Sequence, residues 1–223
     1  MQTPARPSQL NITFRVGDFP RLSETFILKQ IEGLISRGHK VSILANSRPT
    51  KNDRGILPDG ISKTRYLFPN WPALSKAYHQ LPYRIRKARM VAAERNMCAT
   101  SDIVICNFGW FGAQVTHNTA NMSTRAGILT IFHGADMSRS LIQGGESAYA
   151  ELFEKSDRLV PISNFWKSRL IEMGASPEKT TVLRMGVDIG DFVFAPRKNT
   201  PDEPFKLISV CRFVEKKCLA YAL

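Results

Sequence analysis

Few side chains in this sequence follow an apolar strand and also carry chemistry. His133 closes the run Gly127–Phe132 (GILTIF) and opens His133-Gly134-Ala135-Asp136. An imidazole at the end of a buried strand can hydrogen-bond a hydroxyl or face developing charge, although a lone histidine there also serves as plain structure. Asp136 has two readings: it bonds a ligand hydroxyl, or it accepts backbone N–H groups in its own turn. The loop Gly17–Glu24 runs into a predicted helix, whose first N–H groups attract anions or hydroxyls. Glu24 either contacts a ligand there or offsets the helix dipole. Arg212 and Lys217 flank a predicted strand-to-helix turn. A guanidinium fork and an ammonium so placed can clamp a diphosphate.

Other chemistries are disfavoured. None of the four cysteines (Cys98, Cys106, Cys211, Cys218) forms a C-x-x-C pair and only four histidines are present, so no metal site is expected. Cys106 reads as a small buried hydrophobe. No G-x-G-x-x-G follows the first strand, which continues as GDFPRL, so a nicotinamide-binding enzyme lacks support. The net charge of +12 favours an anionic partner: nucleic acid, an anionic membrane or a phosphorylated substrate. Its densest cluster, Arg84, Arg86, Lys87, Arg89 and Arg95, lies in a predicted helix without interleaved aromatics, which argues against single-stranded nucleic acid. That cluster is either a solvated helix face or a membrane-facing patch. No run approaches the roughly 20 apolar residues of a membrane span. The polar segment Met1–Gln9 is no signal peptide, so the expected compartment is the cytoplasm.

The elements that position these residues alternate. Strands are predicted at Leu10–Val16, Val41–Ala45, Thr64–Phe68, Asp102–Cys106, Gly127–Phe132, Arg158–Ile162 and Thr181–Met185. Helices are predicted after Ser23 (as cap) to Gly38, across the Arg84–Arg95 cluster, at Gly112–Asn121, at Glu146–Lys155, and from Ser163 or Asn164 to Gly174. Residues 46–80 read as a proline-rich excursion holding only the short strand. This alternation predicts an α/β fold, a Rossmann-like doubly wound parallel sheet with ligands at loops beyond the strands' C-terminal ends. Those loops are Gly17–Leu22, Asn107–Phe111, His133–Gln143 and Gly186–Phe192. Residues 195–204 (APRKNTPDEP) read as a linker. Phe205–Cys211 then reads as a strand, and a helix begins at Lys217.

Five segments together resemble the GT4 family of GT-B glycosyltransferases: Phe19–Val41, Thr130–Asp136, Val160–Gly174, Val182–Phe192 and Leu207–Leu223. The SETFI form of the first is most similar to members that build bacterial exopolysaccharide of the colanic-acid type. The resemblance implies a first domain over 1–194 that holds the acceptor, a linker at 195–204, and at 205–223 a truncated start of the second, nucleotide-sugar-binding Rossmann-like domain. It implies retaining transfer of a sugar from a nucleotide-diphosphate donor, a co-substrate and not a cofactor, to a glycan or lipid-linked acceptor. No metal and no nucleic acid take part. A chain ending at Leu223 is expected to be inactive or nearly so alone.

The resemblance also assigns residues. His133 is the active-site histidine. Glu24, Asp136 and Asn107 fall on the acceptor side, and Arg212 and Lys217 hold the donor diphosphate. Cys218 stands where the family has glycine, and a Cβ there is expected to oppose positive φ. Gly186 is expected to take a positive φ in a G-V-D turn that Asp188 fixes. The alternative is a basic, non-catalytic Rossmann-like module on an anionic membrane surface. On either reading the expected place is the cytoplasm, or peripherally the inner face of the plasma membrane.

Overall fold

The computed structural model describes residues 8–69, 72–123, 126–138, 146–196, 204, 207–211 and 213–221. Six parallel strands form one sheet: β1 (Asn11–Val16), β2 (Lys40–Ala45), β3 (Lys63–Tyr66), β4 (Ile103–Asn107), β5 (Gly127–Phe132) and β6 (Arg158–Pro161). Their order is β3-β2-β1-β4-β5-β6, as expected of a doubly wound sheet. The central strands are apolar runs because helices cover both faces. On one face Phe14, Val41 and Ile43 meet Ile27 and Ile31 of α1 (Thr25–Ser36). On the other, Val104, Cys106 and Ile128 meet Met97 of α3 (Tyr83–Thr100) and Val115 of α4 (Gly109–Thr119). A third cluster joins Phe132 and Leu159 to Leu152 of α5 (Ala150–Lys155) and Leu170 of α6 (Asn164–Glu172).

Several boundaries differ from the sequence reading. Ser23 does not cap α1; it sits inside a 3₁₀ turn, Leu22–Glu24, and neither helical segment has a side-chain cap. Gly38 stops α1 as expected, at φ +90° with its N–H on the Ile35 carbonyl at 2.9 Å. Residues 46–80 hold a helix that was not foreseen, α2 (Pro72–Gln80). Its proline occupies the first helical position, where an N–H is not needed. Residues Thr181–Met185 form no full strand. Thr181 and Leu183 donate to the carbonyls of Leu159 and Pro161 at 3.0 and 3.1 Å, and an isolated bridge joins Leu159 to Thr180.

The chain divides into Met1–Met185 and Gly186–Leu223. In the second unit the predicted strand Phe205–Cys211 is not formed over its described part. Leu207, Ile208 and Val210 are exposed without a ladder partner, which a strand requires. The predicted helix from Lys217 is replaced by two 3₁₀ turns, Glu215–Lys217 and Leu219–Tyr221.

One buried charge pair locks β1 to α3. Arg15 and Glu94, both fully buried, pair through Nε and Oε1 at 2.8 Å. The guanidinium also donates to the Val16 carbonyl and to Asn46 Oδ1, and stacks on Phe111 at 4.4 Å. Glu94 accepts further from Gln114 and Asn118 of α4. Removing one partner strands a buried charge and costs about 3–5 kcal/mol, whereas an apolar pair of similar volume is far better tolerated. Urea unfolding of Glu94→Ala should show a loss of that size, and Arg15→Met/Glu94→Leu a clearly smaller one.

Candidate functional site

The sheet order reverses between β1 and β4, so the loops after β1, β4 and β5 gather at one edge. The β5 loop is organised by Asp136, which is fully buried. Its Oδ1 accepts the N–H of His133 at 3.0 Å and of Gly134 at 2.8 Å; its Oδ2 accepts the N–H of Gly109 at 2.8 Å. Its own carbonyl accepts the Tyr149 hydroxyl at 2.9 Å. Burial pushes the Asp136 carboxyl up, and these backbone donors pull it partly back. Its oxygens are thus committed to backbone, in its own turn and across to α4.

That cross-link explains a boundary. α4 begins at Gly109, three residues before the expected Gly112, because its first N–H has a carboxylate waiting. Phe108 caps it at φ +83°, an unusual conformation for a non-glycine residue. Gly109 itself must be glycine: a Cβ there would lie 2.5 Å from Phe132 Cε1. Gly134, at φ +104°, lets the β5 loop turn back over Asp136.

His133 sits above this clamp. Its Nε2 lies 2.9 Å from Asn107 Oδ1, at the end of β4. Its ring is flanked by Phe26 of α1 at 4.5 Å and Phe108 at 4.8 Å between centroids. Burial lowers its pKa to about 4, so the imidazole is neutral at neutral pH. With Nε2–H donated to Asn107, Nδ1 carries a lone pair. His133 Nδ1 and Asn107 Nδ2 are both buried and find no partner among the described residues. Leaving such groups unpaired costs about 1–3 kcal/mol each, an expense found more readily at working sites than in plain structure. Phe108 also stacks on Trp110 at 4.8 Å and 6°, and Trp110 remains 37 % exposed.

The predicted residues divide into groups. His133, Asn107 and Asp136 come together, and Phe26 brings α1 to them. Glu24 is half-buried at the start of α1; burial raises its pKa and Arg21, 4.0 Å away, opposes the shift. Lys217 is exposed in a 3₁₀ turn of the second unit, and Arg212 lies outside the described residues. Cys218 takes the left-handed conformation, φ +51°, that its Cβ was expected to oppose. Gly186 does not adopt positive φ; instead Asp188 Oδ1 accepts the Gly190 N–H at 3.0 Å. The aromatic trio Phe26, Phe108 and Trp110 was missed, although Phe108 and Trp110 stand directly beside the flagged Asn107.

A family model described as Glycosyltransferase Family 4 matches residues 23–191. The sequence is 32% identical over 242 residues to a Salmonella typhimurium chain named as a glycosyltransferase of colanic acid biosynthesis, WcaL, covering 96% of this chain and 59% of that one. It is 30% identical over 247 residues to the amylovoran biosynthesis glycosyltransferase AmsK of Erwinia amylovora, covering 96% and 60%. The chain therefore spans about three fifths of the length of these relatives. Among solved structures, the apo lipopolysaccharide outer core galactosyltransferase WaaB superposes with a TM-score of 0.57 at 16% identity, over 87% of this chain and 50% of that one. Anabaena HepE in complex with UDP-glucose gives 0.55 at 15%, over 84% and 47%.

The buried imidazole makes a pH prediction. His133 has a depressed pKa in the folded state, so between about 6.5 and 4 the unfolded chain binds the extra proton. The stability from its neutral burial is complete above about pH 6.5 and is lost as pH falls toward 4. Asp136, with a raised pKa, acts in the opposite sense at the acid end. The comparison is therefore made against His133→Gln in urea titrations. Wild type should lose on the order of 2 kcal/mol more than the variant across that window.

Proposed function

The chain belongs to Glycosyltransferase Family 4, and we propose that residues 1–194 are the acceptor-side domain of an enzyme that glycosylates an exopolysaccharide precursor. In this reading the donor is a nucleotide-diphosphate sugar, used as a co-substrate with no metal in the transfer step. The acceptor is a glycan hydroxyl on a lipid-linked carrier. Donor-side structure begins at residue 205, where Arg212 and Lys217 steady the departing diphosphate. The names of the Salmonella and Erwinia relatives support the pathway class. In this reading the protein acts in the cytoplasm or at the inner face of the plasma membrane.

The single observation that carries this reading is the neutral, half-buried His133, with unpartnered polar atoms on its own ring and on Asn107. A neutral imidazole with Nε2–H held by Asn107 keeps Nδ1 as an unused acceptor; that atom is covered in this structure, and a sugar hydroxyl reaches it when the rings of Phe26 and Phe108 packed on His133 give way. As the anomeric carbon leaves the phosphate oxygen, the acceptor oxygen bonds to it on the same face, retaining configuration. The acceptor's proton passes to the departing phosphate. Asn107 and Asp136 position His133, and Trp110 offers an aromatic face on which a sugar ring can lie. Glu24 stands at the acceptor side of the same edge.

The test joins this chain to the portion of the Erwinia relative that it does not match. Release of nucleoside diphosphate from nucleotide sugars is then followed with a lipid-linked glycan acceptor. Turnover is expected, and His133→Ala should lower kcat by about 10²-fold or more. Trp110→Ala should act mainly on the acceptor KM, raising it about tenfold, the equivalent of 1.4 kcal/mol of binding. No turnover with any common nucleotide sugar, or full activity in His133→Ala, would contradict the proposal. The alternative, a non-catalytic basic module on an anionic membrane, rests on the net charge alone and predicts no turnover.

A further inference from the structure

Apart from Arg95, the basic cluster on α3 lies within a longer stretch that has no acidic residue. From Gly60 to Ala93 the sequence contains no Asp or Glu, and it carries seven Lys and Arg side chains between Lys63 and Arg89. The acid that ends the stretch, Glu94, is buried on Arg15 and cannot offset charge at the surface. Two of the cations are less available: Arg89 lies over the Tyr78 ring at 5.4 Å, and Arg86 is partly buried at its Nε. Arg84 and Lys87 in the first turns of α3, and Lys76 on α2, are exposed.

Large apolar side chains are exposed among them. Leu74 of α2 is 57% exposed, Tyr83 67% and Ile85 46%. Between α2 and the end of β3 runs an open groove of about 380 Å³, lined by Tyr66, Leu67, Leu74, Ala77 and Tyr78 with Arg89 of α3 at its side. Apolar tips interspersed with unopposed cations fit an anionic bilayer, where rings and aliphatic chains enter the interface and cations meet lipid headgroups.

Topology sets this corner on a definite side. All six strands are parallel and α3 runs back toward the start of β4, where Ser101 bonds Thr13 and Asp102 bonds Asn11. Eighteen helical residues extend about 27 Å, whereas a six-residue strand spans about 20 Å. The first turn of α3 therefore reaches the same sheet edge as the loops around His133.

We propose that the α2–α3 corner docks on an anionic lipid bilayer and turns the His133 edge toward it. The purpose of this surface rests on the acceptor-side reading, but its test does not, because vesicle binding is measured without any sugar. The purified chain is sedimented with phosphatidylcholine vesicles and with equimolar phosphatidylcholine–phosphatidylglycerol vesicles at low salt. Binding to the anionic vesicles alone is expected, weakening as salt is added.

Arg84→Glu/Lys87→Glu should lower that binding by about tenfold or more. Tyr83→Ser/Ile85→Ser should weaken it as well. Lys40→Glu/Lys63→Glu, with the same change of charge at the starts of β2 and β3 on the opposite edge, should bind nearly as wild type does. Circular dichroism confirms that each variant is folded. Equal binding to both vesicle types would overturn the proposal. So would unchanged binding of either α3 variant, or an equal loss in the Lys40/Lys63 variant.

Discussion

A carboxylate removed from water must find donors or lose its charge, and Asp136 finds three of them in backbone N–H groups. Two belong to its own turn and one to the first residue of α4. That single group therefore fixes the loop after β5, the start of α4 and the distance between them. It stands beside Phe108 in its unusual conformation, whose ring meets His133 at a tilt and stacks on Trp110. His133 keeps its neutral ring against Asn107 because the backbone beneath it is pinned at His133 and Gly134.

Behind this clamp a second buried acid works in the same way. Glu94 holds Arg15 of β1 and reaches Gln114 and Asn118 on α4. Helix α4 is thus fixed at its N-terminus by Asp136 and along its length by Glu94. The two attachments come from opposite sides of the switch point, where the sheet order reverses. The loops that meet there owe their rigidity to buried charge as well as to the apolar layers that cover the sheet.

The sequence made the strands legible because parallel strands buried on both faces read as short apolar runs, as in Ile103–Cys106 or Gly127–Phe132. It made α1 legible through the spacing of Ile27 and Ile31. It did not reveal the partners of the buried charges, which lie 27 residues apart for Asp136 and Gly109 and 79 for Arg15 and Glu94. No local pattern reports a contact at that separation. The start of α4 was misplaced for the same reason, since its cap comes from another loop. Helix α2 was hidden by prolines read as breakers, one of which serves as a helix start. At the site, His133 and Asn107 were flagged separately and their hydrogen bond was not. For Asp136 both readings stood open, and the fold turns its oxygens onto backbone.

Membership in Glycosyltransferase Family 4 gives this arrangement its chemical sense, and the acid-free corner of α2 and α3 lies at the same edge of the sheet. The site around His133 depends on the loops after β4 and β5 being held as one unit by Asp136. Amide hydrogen exchange at Gly109, His133 and Gly134 tests that most directly. All three should be protected in the wild type and should lose protection together in Asp136→Ala, while Phe14 in β1 stays protected. Independent exchange of the three amides, or unchanged protection in the variant, would contradict the account.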